Sequence, residues 1–351
     1  MLFFIPDGEI KFRETKELFA PGKIKEATSE VGIIPISDFD GEYNPRNLFF
    51  MTILWTVSVI AMMTNITIIT AIWIWKALIG KRTHWKKVLW DVGRSSWHRS
   101  SPFVDWFSKP NHDAKVFGSG CVALDIFYNF HTKILPKLKN NPEGWLTKFW
   151  IGGMENRQAV TNRRKIVSKL LVEAFHKFAG EGEIRMVSVA SGSAQAVVDA
   201  FLAVPYLNIK ARLLDIDDDA IKASRERIRE AGLQDRIEVF KGRTSDLEKI
   251  CEGFQPHIVE IVGFIDYRND KGAIRLFKRI RKVLAPKGVM LTCNITPNRE
   301  KIFLDWNLLW PMIYRTPERL RNILLDAGFE GTKLLSCPFR IHTLAVCVCN
   351  K

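Results

Sequence analysis

Between Leu48 and Trp75 the chain runs for 28 residues, LFFMTILWTVSVIAMMTNITIITAIWIW, without one charged side chain. A helix needs about 20 apolar residues to cross a bilayer core, so a transmembrane helix is expected over 47–77. Trp73, Trp75, Trp85, Trp90, Trp97 and Trp106 gather at and beyond its end, as aromatic belts do at a membrane interface. Lys76, Lys81, Arg82, Lys86, Lys87, Arg94 and Arg99 form a basic flank on that side, whereas residues 1–46 hold nine acidic and six basic side chains, a net of −3. Positive charge is retained on the cytoplasmic side, which implies a single-pass protein with its C-terminal half in the cytoplasm. A cleaved leader is not expected, because the run starts nearly fifty residues in and is too long for one. The other arrangement is a re-entrant hairpin turning at Thr64-Asn65, whose halves of about 15 residues are each too short to cross.

A chain of 351 residues with 47% hydrophobic content can bury one ordinary core and a smaller second element. Its formal charge of +14 and eleven Trp suit either nucleic acid or an anionic lipid surface. Beside an apolar span and without a nucleic-acid motif, the expected partner is the bilayer, and no nucleic acid is expected. The six Cys form no CxxC pair and have no metal-ligand spacing, so neither a metal site nor a disulfide framework is expected. Cys347 and Cys349 alternate along a strand-like run and should pack in a core.

The organisation that follows is an N-terminal segment (1–46), the membrane helix (47–77), a helical membrane-proximal region (78–180) and a C-terminal domain (181–351). Pro102, Pro110, Pro136 and Pro142 break the membrane-proximal region into short helices and loops. After Gly152-Gly153, the spacing of Val160, Ile166, Leu170, Leu171 and Phe175 predicts a helix ending at Gly180. Its basic residues Arg163, Arg164 and Lys165 read as a solvated face.

From Ile184 short apolar runs alternate with helical stretches: IRMVSVA, AQAVVDAFLAV, ARLLDID, DAIKASRERIREAGL, RIEVF, IVEIVGFI, GAIRLFKRIRKVLA and GVMLTCNI. Such alternation predicts βαβ units and a parallel sheet, whose ligands sit at the carboxyl ends of the strands. The loop after the first strand, Ala190-Ser191-Gly192-Ser193-Ala194, is built of small residues that let a ligand approach the backbone and a helix N-terminus. It has neither GxGxxG nor GxxxxGK[ST], which points to a ligand without phosphates. The second strand ends in Leu213-Leu214-Asp215-Ile216-Asp217, where Asp215 can accept both hydroxyls of a ribose and Asp217 or Asp218 can cap the next helix.

Taken in order, VSVASGSA, the acid Asp215 and the later IVGFIDY resemble the class I S-adenosylmethionine-dependent methyltransferases over about 170 residues. The resemblance implies an α/β fold, a doubly wound, seven-stranded Rossmann-like sheet finished by a terminal antiparallel hairpin formed from GFEGTKLLSC and FRIHTLAVCVC. It implies S-adenosylmethionine as cofactor, with Ala190, Ser191 and Gly192 around its methionine part, Asp215 on the ribose with Ile216 beside it among the cofactor-binding residues, and Thr244 by the adenine. Gly263 and Phe264 then lie near the sulfonium, and Asp266 and Tyr267 face the methyl acceptor. The chain departs from the family at its loop, where Ala190 and Ala194 flank Gly192 in place of a three-glycine pattern and Ser188 stands for an acid.

Methyl transfer from a sulfonium needs alignment and the removal of one proton, not a covalent nucleophile. Asp266 is the candidate general base and Tyr267 a hydroxyl that orients the acceptor. Glu260, inside an apolar strand, requires a partner, expected from Arg212 or a backbone group. The function expected is methyl transfer to a lipid-like or other small-molecule acceptor, with the Trp-rich stretch Phe303–Tyr314 lining an apolar acceptor site. A soluble or protein acceptor, or a non-catalytic membrane scaffold that keeps the fold, are the alternatives.

Overall fold

The computed structural model describes residues 19, 33–36 and 41–350, so most of the 1–46 segment lies outside the described residues. The helices in chain order are α1 (Leu48–Leu78), α2 (Trp85–Gly93), α3 (Lys109–Val116), α4 (Cys121–Tyr128), α5 (Pro142–Thr147), α6 (Glu155–Lys177), α7 (Gln195–Ala203), α8 (Asp218–Glu230), α9 (Leu247–Ile250), α10 (Asp270–Val283), α11 (Lys301–Trp306) and α12 (Pro317–Asp326). The strands are β1 (Ile33–Pro35), β2 (Ile184–Val189), β3 (Ile209–Asp215), β4 (Ile237–Lys241), β5 (Ile258–Ile261), β6 (Val289–Ile295), β7 (Gly331–Ser336) and β8 (His342–Val348). The chain divides into two compact units, one holding β1, Asn162–Pro297 and residues 313–350, the other Glu42–Thr161 and Asn298–Met312.

The first unit is the predicted α/β fold. Its strands run in the order β1-β7-β8-β6-β5-β2-β3-β4, all parallel except β8, which is antiparallel to both β6 and β7. The seven strands and terminal hairpin expected from the sequence are all present, and β1 adds an eighth at the edge by pairing with β7. Three residues are too few for alternation to be read. Each face carries its own core. Ile184, Met186, Ile258 and Leu291 pack beneath Ile166, Leu170, Leu171 and Phe175 of α6 and Val197 and Phe201 of α7. Val187, Val189, Val259, Ile261 and Met290 face Leu276, Phe277 and Ile280 of α10 and Leu320 and Leu324 of α12. Cys347 and Cys349 belong to this second core, as their alternation required. Since β2 has β3 on one side and β5 on the other, strand order reverses between β2 and β5, the position at which open sheets of this kind bind their ligands.

In the second unit α1 is a single unbroken helix, capped by the Asn47 side chain accepting from the Phe50 N–H. This rules out the re-entrant hairpin. Asn65 lies mid-helix, where its Nδ2 donates to the carbonyls of Ser100 (3.2 Å) and Trp306 (3.0 Å). The polar residue that reads as a turn is a docking point. α1 is the one described helix long and apolar enough to cross a membrane. Phe303 and Trp310, expected to line an acceptor site, are instead core residues of this unit, stacked on Trp150 and Phe127.

Candidate functional site

At the tip of β2 the backbone turns through three left-handed residues, Ala190 (φ 55°), Gly192 (φ 54°) and Ala194 (φ 57°). Glycine adopts this region freely and alanine at a cost of about 1–2 kcal/mol, so the loop keeps a glycine-type path without the glycines. Neighbouring groups hold it: Ser191 N–H donates to the Leu214 carbonyl (3.2 Å), and Arg227 Nη1 donates to that of Ser193 (2.5 Å). Two polar atoms beside it are buried and without a hydrogen-bond partner among the described residues, Ser191 Oγ and Gln195 Oε1 at the start of α7. Buried polar atoms are normally paired, and this pair is available to the polar groups of a ligand.

Asp215, at the tip of β3, accepts from the Gly192 N–H through Oδ2 (2.8 Å) and from the Asp217 N–H through Oδ1 (3.0 Å). Its carboxylate is thereby fixed to the loop, and each oxygen retains a lone pair for a ligand hydroxyl. Asp217 caps α8 by accepting from Asp219 N–H (2.8 Å), the role expected for it. Ile216 projects beside Asp215 with 57% of its surface exposed, an apolar face next to the strand-tip acid. Thr244 opens the short turn after β4, which Asp246 closes by accepting from the Arg243 N–H (2.8 Å). Gly242 N–H in turn donates to the Asp215 carbonyl (2.8 Å), so Thr244 is tethered to the same strand tip.

The turn after β5 carries Gly263, Phe264, Asp266 and Tyr267. Gly263 has φ 80°, and a Cβ placed on it would lie 3.2 Å from Arg163 Nη2. Asp266 is buried, its Oδ1 accepting from the Ile295 N–H (2.9 Å) and its carbonyl from the Ile313 N–H (2.7 Å). Burial pushes its carboxyl up, against the pull of Arg163, the Ile295 N–H and Arg315. Tyr267 and Phe264 are half-buried, with the Arg268 guanidinium 4.7 Å from the Phe264 ring centre. The clamp on this turn is Arg315, wholly buried, which donates to the Ile265 carbonyl (3.0 Å), the Arg268 carbonyl, Asn294 Oδ1 (2.5 Å) and Asp270 Oδ1 (2.9 Å). Nothing in the local sequence around Arg315 announces this role.

Beneath the strand tips lies a polar layer. Ser188 and Glu260 are register partners across β2 and β5, and Ser188 Oγ donates to Glu260 Oε2 (2.5 Å). Burial pushes the Glu260 carboxyl up to about 7, although Ser188, Arg163 and the Val262 N–H all favour its charged form. Arg212, one of the partners expected for Glu260, is elsewhere, donating to the Ile250 carbonyl (2.6 Å) and pairing with Glu238 (3.4 Å); the backbone alternative holds. Arg163 is only 5% exposed and contacts Cys293 Sγ (3.9 Å), which corrects its reading as part of a solvated face. It sits one turn before Ile166 and Val167 on the core-facing stripe of α6, the spacing that would have revealed it. His342 opens β8 opposite Ile295, is fully buried, and is held neutral by burial and by Arg163.

The loop, the fixed strand-tip acid and the exposed Ile216 come together at the carboxyl ends of β2 and β3, and the unpaired Ser191 and Gln195 atoms suit a ligand with both donor and acceptor groups. No group of His, Cys, Asp and Glu side chains among the described residues is arranged to hold a metal. Among solved structures, the chain is similar in fold to a possible exported protein from Bordetella parapertussis, at 13% identity and a TM-score of 0.54, over 70% of this chain and 84% of that one. It is also similar to the citrinin polyketide synthase CMeT domain (13% identity, TM-score 0.47, 70% and 67%) and to an O-methyltransferase family protein from Burkholderia thailandensis (15%, 0.42, 66% and 70%). No curated protein matches the sequence. Residues 143–348 match the family described as "Putative methyltransferase". That match spans more than half of the chain, and the protein belongs to this family of methyltransferases, enzymes of the S-adenosylmethionine-dependent class built on this sheet.

Proposed function

We propose that this chain is a membrane-attached methyltransferase that moves a methyl group to a lipid-like or other apolar small molecule on the cytoplasmic side. The observation that carries the reading of the site is the Asp215 carboxylate bridged to the Gly192 N–H beside the unpaired Ser191 Oγ and Gln195 Oε1. Asp215 takes the ribose hydroxyls, Ser191 and Gln195 the polar methionine end, and Ile216 and Thr244 border the adenine, while Ala190 and Gly192 bring the loop backbone close. When bound, S-adenosylmethionine supplies a methyl group already activated on a sulfonium. Gly263 and Phe264 line that end of the crevice. Asp266, whose Oδ1 is held by the Ile295 N–H, takes the acceptor's proton at Oδ2, and the Tyr267 hydroxyl orients the acceptor. Burial raises the Asp266 carboxyl, and a raised carboxyl is the stronger base once ionised.

The support for a membrane acceptor is α1, since an enzyme held on a bilayer shares its surface with apolar substrates. The excess of basic residues after α1 supports a cytoplasmic catalytic unit. Calorimetric titration of the detergent-solubilised protein with S-adenosylmethionine and its demethylated product tests the site. Saturable binding is expected, weakened at least about 100-fold in Asp215→Ala, because two charge-assisted hydrogen bonds at roughly 1.5–3 kcal/mol each are lost. Absence of binding by the folded protein refutes the assignment. Label from the methyl donor appearing in the organic phase of a membrane extract supports an apolar acceptor; label confined to protein or to water-soluble product favours the other acceptor classes.

A further inference from the structure

The inner side of α1 is committed to protein along nearly its whole length. Met51, Leu54, Ser58, Ala61, Asn65 and Ile69 form a buried stripe at helical spacing. Polar contacts punctuate it: Trp55 Nε1 donates to the Arg299 carbonyl (2.8 Å), Asn307 Nδ2 to Ser58 Oγ (2.9 Å), Asn65 to Ser100 and Trp306, and Trp73 Nε1 to the Thr83 carbonyl (2.8 Å). Lys76 pairs with Asp91 of α2 at 3.8 Å. From Trp55 to Lys76 this contact runs about 32 Å at 1.5 Å per residue, as long as a bilayer core is thick.

The segments that make those contacts carry charge. α11 pairs Lys301 with Asp305 between the contacts at Arg299 and Trp306, and α2 pairs Lys87 with Asp91 (3.2 Å). A helix standing upright in the bilayer would take Arg299, Lys301 and Asp305, which sit against its middle turns, to core depth, where charged side chains are costly. The outer side has the opposite character: Val59, Ile60, Met63, Ile66, Ile74, Trp75 and Leu78 are exposed and apolar. At its C-terminal end the exposed Lys81, Arg82, Lys86 and Lys87 follow, with exposed Trp97, Phe103, Trp106 and Phe107 in the same unit. One face held by charged protein, the other apolar and ended by Trp and basic residues, is the pattern of a helix lying in the interface plane.

The geometry points to α1 as an in-plane anchor that sinks its outer face into one leaflet of an anionic bilayer and keeps both of its ends on the same side. This rests on the membrane attachment proposed above, and departs from the single crossing that hydropathy alone suggests. The described cysteines are all buried, so single exposed cysteines can be added at Pro45→Cys and Lys81→Cys, flanking the helix, and at Met63→Cys on its outer face. The full chain is expressed in bacterial inner membranes, and a membrane-impermeant maleimide is applied to spheroplasts and to inverted vesicles. Both flanking cysteines are expected to react only in inverted vesicles, and Met63→Cys to react at least tenfold more after detergent is added. Reaction of one flank in spheroplasts and the other in inverted vesicles overturns the in-plane arrangement while leaving attachment intact. Recovery of the chain in the soluble fraction, with Met63→Cys freely reactive or crosslinked to a second copy, overturns attachment itself.

Discussion

Glu260 makes the folded α/β unit sensitive to pH in a way that one substitution removes. Its carboxyl, ordinarily at 4.5, is pushed to about 7 by burial. The folded state therefore holds a proton that the unfolded state has released between pH 4.5 and 7, and stability falls as pH rises through that window, by about 3 kcal/mol in all at 1.36 kcal/mol per pH unit. Above pH 7 the whole deficit is present. Glu260→Gln keeps an oxygen for the Ser188 hydroxyl and cannot ionise. It forgoes one acceptor, worth about 1 kcal/mol, so the variant should be level with or slightly below the parent at pH 5 and about 2 kcal/mol above it at pH 8.

Trp fluorescence cannot read this, because all eleven Trp lie in the other unit. Amide hydrogen exchange of peptides from β2 and β5 can, since core strands open with the global free energy of their unit. Comparison at each pH cancels intrinsic exchange rates. It also cancels the contributions of Asp266 and Asp199, whose carboxyls burial likewise raises in the same unit. A difference between parent and variant that stays constant from pH 5 to 8 would refute the argument that Glu260 titrates near neutrality in the folded protein.

Two backbone predictions follow from the left-handed positions. Ala190→Gly should stabilise the unit by up to about 1.5 kcal/mol, the strain of about 1–2 kcal/mol relieved less the roughly 0.5–1 kcal/mol that glycine adds in the unfolded chain, with cofactor affinity unchanged in the titration; a destabilised variant contradicts the loop path. Gly263→Ala should cost about 2 kcal/mol, from φ 80° and a Cβ 3.2 Å from Arg163 Nη2, read as faster exchange in β5; an unaffected β5 argues that the turn adopts another conformation.

What could be read from the chain before folding, and what could not, divides along a physical line. The alternation of short apolar runs with helical stretches identified the parallel strands, and β2, β5 and β6 are apolar runs because each places side chains in both cores. Asp215 was legible because a strand tip followed by a capped helix leaves few places for an acid. Ala190 and Ala194 argued against a glycine-type loop, since residue identity reports propensity while φ is set by the whole turn; the Leu214 carbonyl and the Asp215 carboxylate, both distant in sequence, hold it. Arg163 was misplaced for the converse reason. Its charge suggested solvent, although its spacing from Ile166 and Leu170 placed it over the sheet, where Glu260 and Asp266 offset its charge.

Arg315 and Asn65 carry that reasoning to its limit. Each is buried because its donors meet carbonyls or side-chain oxygens far away in the chain, Arg315 those of residues 265, 268, 270 and 294 and Asn65 those of residues 100 and 306. No local pattern encodes such a match, because it is the folded carbonyls that create the need for a donor. The cost of an unmade buried hydrogen bond, about 1–3 kcal/mol, then falls on whichever partner is lost. A helix whose apolar length alone suggests a membrane crossing is, through Asn65, part of a packed unit, and its polar residue is better evidence of how it sits than the twenty-seven uncharged neighbours around it.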